Sequence, residues 1–294
     1  MDTSFFGTGV ALITPMNADK SVDFQALKKL VNHCIEGCVE YLVVLGTTGE
    51  AATLSYAEKD AILKTVIDTN AGRLPIVLGL GGNETKEILD LLDTTPFGDI
   101  SAILSVTPYY NKPTQRGLIA HYSASAEKCP VPMLLYNIPG RSGINMLPET
   151  VLTLAQKYSN IIGVKEASGQ MQQIMELLHH RPEGFAVISG DDALALPVTA
   201  LGGDGVISVA ANVLPMEVST LVRAAANGDL RSARTLHYDL IDLINALFKD
   251  GNPSGIKAAL QIAGLCQNEM RLPLVPVCDA TYALLQEQLA RFTN

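Results

Sequence analysis

The stretch IIGVKEASG, Ile161 to Gly169, runs Ile, Ile, Gly and Val straight into a lysine and a glutamate. Its first half shows no polar alternation, the pattern of a strand buried on both faces of a parallel sheet. Seven more runs share that character: GVALITP (9–15), YLVVLG (41–46), PIVLGLG (75–81), ISAILSVTP (100–108), VPMLLYNIP (131–139), FAVISGDD (185–192) and GVISVAAN (205–212). Between them lie helical patterns such as FQALKKLVNHCIEG (24–37), YAEKDAILKTVIDTNA (56–71) and TKEILDLLDTT (85–95). Alternating strands and helices with short loops imply a parallel sheet with right-handed crossovers. A doubly wound sheet is one solution; eight units favour a closed (β/α)8 TIM barrel, whose strand count this is.

After about residue 225 the strand signal stops. Residues 229–249, 254–265 and 277–292 all read as helices, broken at Pro253 and at RLPLVP (271–276). The expected organisation is an α/β barrel over 1–225 carrying a C-terminal helical appendage over 226–294.

The chain has 294 residues, 48% of them hydrophobic, and a net charge of -9. An acidic balance of that kind argues against nucleic acid or an anionic membrane as partner, since both select basic patches. No run reaches the roughly 18 apolar residues of a membrane span. The start, MDTSFFGTGVALITP, lacks the basic region of a signal peptide. Five scattered cysteines form no disulfide framework and point to a reducing compartment. The sequence therefore predicts a soluble, cytoplasmic protein.

In such a barrel chemistry gathers where strands end and loops lead into helices. The polar residues there are Thr14, GTTGE (Gly46–Glu50), TPYYNKP (Thr107–Pro113), YNIPGRSG (Tyr136–Gly143), Lys165 with Glu166, and SGDD (Ser189–Asp192). Separate strands thus aim Thr48, Tyr136, Arg141 and Lys165 at one mouth. A lone strand lysine more often snorkels to water. Burial instead favours a neutral amine, which attacks a keto group to form a Schiff base, an electron sink. Gly163, two residues earlier on the same face, is expected to leave room for the lysine stem. Tyr136 is placed to move protons with help from the hydroxyls of Thr48 and Tyr110, or else to cap a backbone carbonyl. Arg141 is a fixed cationic fork for a carboxylate, or else half of a rim salt bridge. GTTGE, read as lying just before a helix, offers backbone donors to a carboxylate or phosphate. No GxxxxGK[ST] pattern accompanies it, which speaks against a nucleotide. Cys34 and Cys38, four apart, read as small core residues of one helix face rather than half a metal site. Glu166 should point away from Lys165 and support it from behind, because neighbours alternate across a strand.

Two long stretches, YLVVLGTTGEAATLSYAE and YNIPGRSGINM followed by IIGVKEAS, resemble the signatures of the pyruvate-dependent class I aldolase family that includes N-acetylneuraminate lyase and dihydrodipicolinate synthase. The resemblance runs from about Gly7 to Leu289. Arg141, the two threonines of GTTGE and the tyrosine pair of TPYYNKPTQ resemble the synthase branch. It implies that Lys165 condenses with pyruvate while Thr47 and Thr48 hold the carboxylate and Gly190 and Ile207 line the pocket. Tyr136, Thr48 and a Tyr110 reaching across a tight dimer interface would relay protons, and Arg141 would grip L-aspartate 4-semialdehyde. The product implied is 4-hydroxy-tetrahydrodipicolinate, on the route to diaminopimelate and lysine, with a homotetramer of tight dimers and neither metal nor organic cofactor. The alternative is a sibling aldolase acting on a sugar acid or hydroxy-keto acid. One departure stands out: Ala51, Tyr56 and Lys59 occupy places where lysine-inhibited members carry a serine and two histidines, although Asn83, Glu87 and Tyr109 match. A cationic Lys59 would repel a lysine ammonium, so weak or absent feedback inhibition is expected.

Overall fold

The computed structural model describes residues 5–292. Eight parallel strands close in sequence order, β1 pairing with β2 and so on until β8 returns to β1. They are β1 (Gly7–Ala11), β2 (Tyr41–Val44), β3 (Ile76–Gly79), β4 (Ala102–Val106), β5 (Met133–Asn137), β6 (Ile161–Glu166), β7 (Ala186–Ser189) and β8 (Gly205–Ser208). Each lies within, or overlaps, one of the eight apolar runs. The helices between and around them are α1 (Phe24–Glu36), α2 (Tyr56–Asn70), α3 (Thr85–Thr94), α4 (Gln115–Lys128), α5 (Pro139–Ser142), α6 (Pro148–Lys157), α7 (Met171–His180), α8 (Ala195–Ala200) and α9 (Pro215–Ala226). Three more, α10 (Leu230–Phe248), α11 (Ser254–Ile262) and α12 (Asp279–Ala290), complete the described chain.

Local chemistry fixes where these helices start. The Asp23 side chain accepts from the amides of Gln25 and Ala26 at the head of α1. Ser55 and Glu58 form a reciprocal capping box on α2, and Thr114 caps α4. Such caps satisfy amides that a helix's first turn would otherwise leave unpaired. Closure of the barrel depends on Gly205, which has φ +120°. A Cβ there would fall 1.9 Å from the Gly7 carbonyl oxygen, so only glycine lets β8 reach β1.

Alternate residues of the strands fill the interior, among them Tyr41, Val43, Val77, Ala102, Leu104, Leu134, Ile188 and Ile207. Phe5 packs edge-on against Tyr41, with ring centres 5.3 Å apart, at the N-terminal end of the strands. The opposite strand faces pack under the helices in a larger cluster that continues into Leu240, Leu243, Ile256 and Leu285 of the C-terminal helices. Those helices lean on one end of the barrel: α10 touches the turn after β7 and α11 the turn after β8. Both turns lie at the C-terminal ends of the strands, where the candidate chemistry is. No helix among the described residues is long and apolar enough to cross a membrane.

Candidate active site

Lys165 and Tyr136 stand on neighbouring strands at the same level, directly paired in the β5–β6 register. Both face the interior. The Lys165 amine lies 4.3 Å from the centre of the Tyr136 ring. Lys165 is only 6% exposed, and among the described residues no carboxylate forms an ion pair with it. Glu166 turns to the other face, where it accepts from Asn137 Nδ2 (2.9 Å), Gln173 Nε2 (2.9 Å) and the Ser168 amide (2.7 Å). Its charge is thereby spent on holding the end of β6 to β5 and α7.

The glycine that makes room for the lysine is not the expected one. A Cβ on Gly163 would strike the Ala186 carbonyl oxygen at 2.7 Å and Leu134 at 2.9 Å, so Gly163 serves the packing of β5 and β7. A Cβ on Gly190 would come within 3.0 Å of Lys165 Cε and 2.5 Å of Ala167 Cβ. Gly190, one residue past the end of β7, is the residue beside the lysine stem: Ile188 stands level with Lys165 in the β6–β7 register, and Gly190 lies two residues further along the same face, where the stem passes.

GTTGE does not lead straight into a helix as the sequence reading had it. Thr47–Gly49 make a 3₁₀ turn, Glu50 takes the left-handed conformation (φ 54°), and α2 begins only at Tyr56, where Ser55 caps it. The Thr14 hydroxyl donates to the Gly49 carbonyl (2.7 Å) and pins this turn to the end of β1. Thr47 is exposed at the lip; Thr48 is buried, and its Oγ1 receives Asn252 Nδ2 at 2.9 Å. Glu50 is driven inward to an ion pair with Lys257, whose side chain is wholly enclosed, and accepts the Arg271 amide at 3.2 Å.

Arg141 lies on α5, the short turn after β5, and is exposed; its Nη2 donates to the Asn252 carbonyl at 3.1 Å. Among the described residues it forms no rim salt bridge. A cavity of about 1040 Å³ opens between this turn and α10, with Arg141, Ala167, Gly190, Asp191, Asn245 and Lys249 among its walls. Ile207 is buried on β8 inside the barrel. Tyr110 is not brought to the mouth of its own chain: it is 89% exposed, with φ 73°, its amide on the Ser142 carbonyl at 3.4 Å. The structure thus gathers Lys165, Tyr136, Thr48, Gly190 and Ile207 at one end of the barrel, puts Thr47 and Arg141 at its rim, and leaves Tyr110 outside.

Sequence reasoning missed Asn252, Glu50 and Lys257. GNPSG (251–255) registered only as a helix break. Lys257 falls between Ile256 and Ala258–Leu260 in an otherwise apolar stretch of helix, which was the available signal. Burial pulls the Lys257 ammonium below the ordinary lysine range, with Glu50 offsetting part of that. Neighbouring Cys266 is pushed by burial up to about 11. The two cysteines read as one helix face part company: Cys34 is buried, but α1 stops at Glu36 and Cys38 is exposed beyond it. Among the described residues no group of His, Cys, Asp and Glu could hold a metal ion.

A closed eight-stranded barrel with a buried, carboxylate-free lysine at its mouth defines a protein equipped for carbonyl chemistry. The chain belongs to the dihydrodipicolinate synthetase family, whose sequence profile matches residues 4–291. A 4-hydroxy-tetrahydrodipicolinate synthase from Flavobacterium psychrophilum is 53% identical over 274 residues, 93% of this chain and 94% of that protein. Among solved structures, dihydrodipicolinate synthase from Aquifex aeolicus superposes with a TM-score of 0.94 at 41% identity, covering 98% of each chain. A monomeric dihydrodipicolinate synthase variant reaches 0.96 at 37% identity, covering 98% of this chain and 97% of its own.

Proposed function

We propose that this protein condenses pyruvate with L-aspartate 4-semialdehyde to give 4-hydroxy-tetrahydrodipicolinate. The observation that carries the reading is Lys165: buried, without a carboxylate partner among the described residues, and level with Tyr136 on the next strand. Its amine adds to C2 of pyruvate, and loss of water gives the imine. The pyruvate carboxylate lies on Thr47 and Thr48. Removal of a C3 proton then gives an enamine, with Tyr136 moving the proton and the Thr48 hydroxyl relaying it. The enamine carbon attacks the aldehyde carbon of the second substrate, whose carboxylate is held by Arg141. That substrate's amino group next adds to the imine carbon, closes the ring and expels the Lys165 amine. The net change is one water lost for each pair of substrates joined. Neither metal nor organic cofactor takes part, the imine itself being the electron sink.

The exposure of Tyr110 and its left-handed backbone suit a residue held out to complete the site of a second subunit. The assembly proposed is a tight dimer, paired into a homotetramer, in the cytoplasm. At the shallow cleft of about 400 Å³ lined by Tyr56, Glu84, Lys86 and Glu87, the Tyr56 hydroxyl donates to Glu87 Oε1 (2.8 Å) and Lys59 lies over the Tyr56 ring. Glu87 is thus already engaged, which supports weak or absent inhibition by L-lysine.

The test is pyruvate consumption with aspartate semialdehyde, run beside N-acetylmannosamine and a simple hydroxyaldehyde. Turnover confined to the semialdehyde is expected; turnover with a sugar aldehyde instead would keep the Schiff base and replace the second substrate.

A further inference from the structure

We infer that Asn252, from the segment joining α10 to α11, is a positioning residue that sets the direction of the Thr48 hydroxyl; this rests on the proposed relay through Thr48. Two bonds converge on this one residue. Its side-chain Nδ2 donates to Thr48 Oγ1 at 2.9 Å, and its carbonyl receives Arg141 Nη2 at 3.1 Å. One link of the C-terminal segment therefore touches both the candidate relay and the candidate carboxylate clamp.

The amide's orientation follows from what each choice would strand. As placed, Asn252 Oδ1 is enclosed and lacks a partner. Turned over, the amide would instead strand a two-hydrogen donor. A buried N–H without a partner is rarer than an under-satisfied oxygen. With Nδ2 toward Thr48, the threonine oxygen is an acceptor on that side, so its own hydrogen is directed elsewhere and can be donated onward. A hydroxyl that relays protons must accept and donate at once, and Asn252 fixes which side does which.

The segment is held firmly enough to do this. Five residues on, Lys257 pairs with Glu50, two residues past Thr48, and donates to the Glu269 carbonyl at 2.7 Å. The same short stretch of chain thus grips the GTTGE turn at two points.

The experiment compares Asn252→Asp with Asn252→Ala, reading kcat and KM for both substrates and borohydride trapping of the pyruvate imine. Aspartate keeps the shape and the backbone bond to Arg141, but as an acceptor it forces Thr48 to donate backwards. Alanine removes the amide and leaves Thr48 free to turn or bind water. The expected order is that N252D loses more kcat than N252A, falling about 10²- to 10⁴-fold as for a lost proton-transfer step, with KM little changed. A support that was merely structural would give the opposite order, and that result, or an N252D enzyme with unchanged kcat, would overturn the inference. Should N252D fold poorly, the double variant decides. Adding N252A to Thr48→Val is expected to cost nothing further in kcat, whereas losses that multiply would show that Asn252 does not act through Thr48. Absence of imine trapping in the unsubstituted enzyme is a separate failure; it would sink the Schiff-base reading and this inference together.

Discussion

Lys165 at the barrel mouth and Lys257 on the C-terminal helix α11 are both withdrawn from water, the first nearly so and the second completely. Their surroundings differ in kind. Lys257 has a carboxylate, Glu50, and a backbone carbonyl to satisfy it, as an ammonium ion buried in protein requires. Lys165 has an aromatic face, the open side of a glycine and, among the described residues, no carboxylate. One lysine is finished and the other is left wanting a partner. Burial by itself therefore does not single out a candidate nucleophile; burial without an ion pair among the described residues, at the end of the barrel that opens to a cavity, is what supports the role proposed for Lys165.

The sharpest way to break this contrast is to remove each amine in turn. Lys165→Ala is expected to abolish borohydride trapping with pyruvate and lower kcat by at least about 10⁴-fold while thermal unfolding changes little. Persistent trapping would move the nucleophile elsewhere. Lys257→Met should behave the opposite way, leaving Glu50 buried and unpaired and costing about 3–5 kcal/mol in urea unfolding. Adding Glu50→Gln should recover most of that, and a double variant no more stable than K257M would show that the ion pair is not what the site needs.

Smaller effects sharpen the picture around each lysine. Gly190→Ala should push on Lys165 Cε, slowing imine trapping and costing about 1–3 kcal/mol through overpacking; trapping at the normal rate would mean the stem has other room. Beside Glu50, the hydrogen bond from Arg271 holds the Glu58 carboxyl down at about 2, from an ordinary 4.5. A carboxyl lowered in the folded state contributes stability above its unfolded value and loses it as pH falls through the folded one. The unfolding temperature should thus drop between about pH 4.5 and 2, and less so in Glu58→Gln; equal drops would exclude this pair as a source. Least of all, millimolar L-lysine is expected to leave turnover unchanged, and half-maximal inhibition at micromolar L-lysine would contradict that.

The barrel was legible because each strand is a buried apolar run bounded by turn residues, and a count of eight such units favours one closed architecture. The placing of Lys165, Tyr136 and Thr48 at one end of the barrel was legible because each is a polar residue at the end of, or just after, such a run. What escaped notice is long-range. Gly163 looked like the lysine's neighbour because sequence shows distance along a strand, whereas the glycine that meets the stem, Gly190, follows the adjacent strand β7, two residues beyond the Ile188 that is level with Lys165. Asn252 lies 204 residues from Thr48, and no local pattern announces a bond of that span. Tyr110 showed its type in the sequence but not its destination, which a single chain leaves facing outward.

The pairing of Tyr136 with Lys165 across β5 and β6 has a metrical consequence. Hydrogen-bonded strands keep a repeat of roughly 4.8 Å, fixed by the peptide group and indifferent to which side chains it carries. The separation of these two anchor points is therefore a property of the sheet rather than of any loop. Helices around the rim can be exchanged, lengthened or repacked without altering that gauge, so drift in the outer ring can change what enters the mouth while the two groups proposed to react stay in calibration.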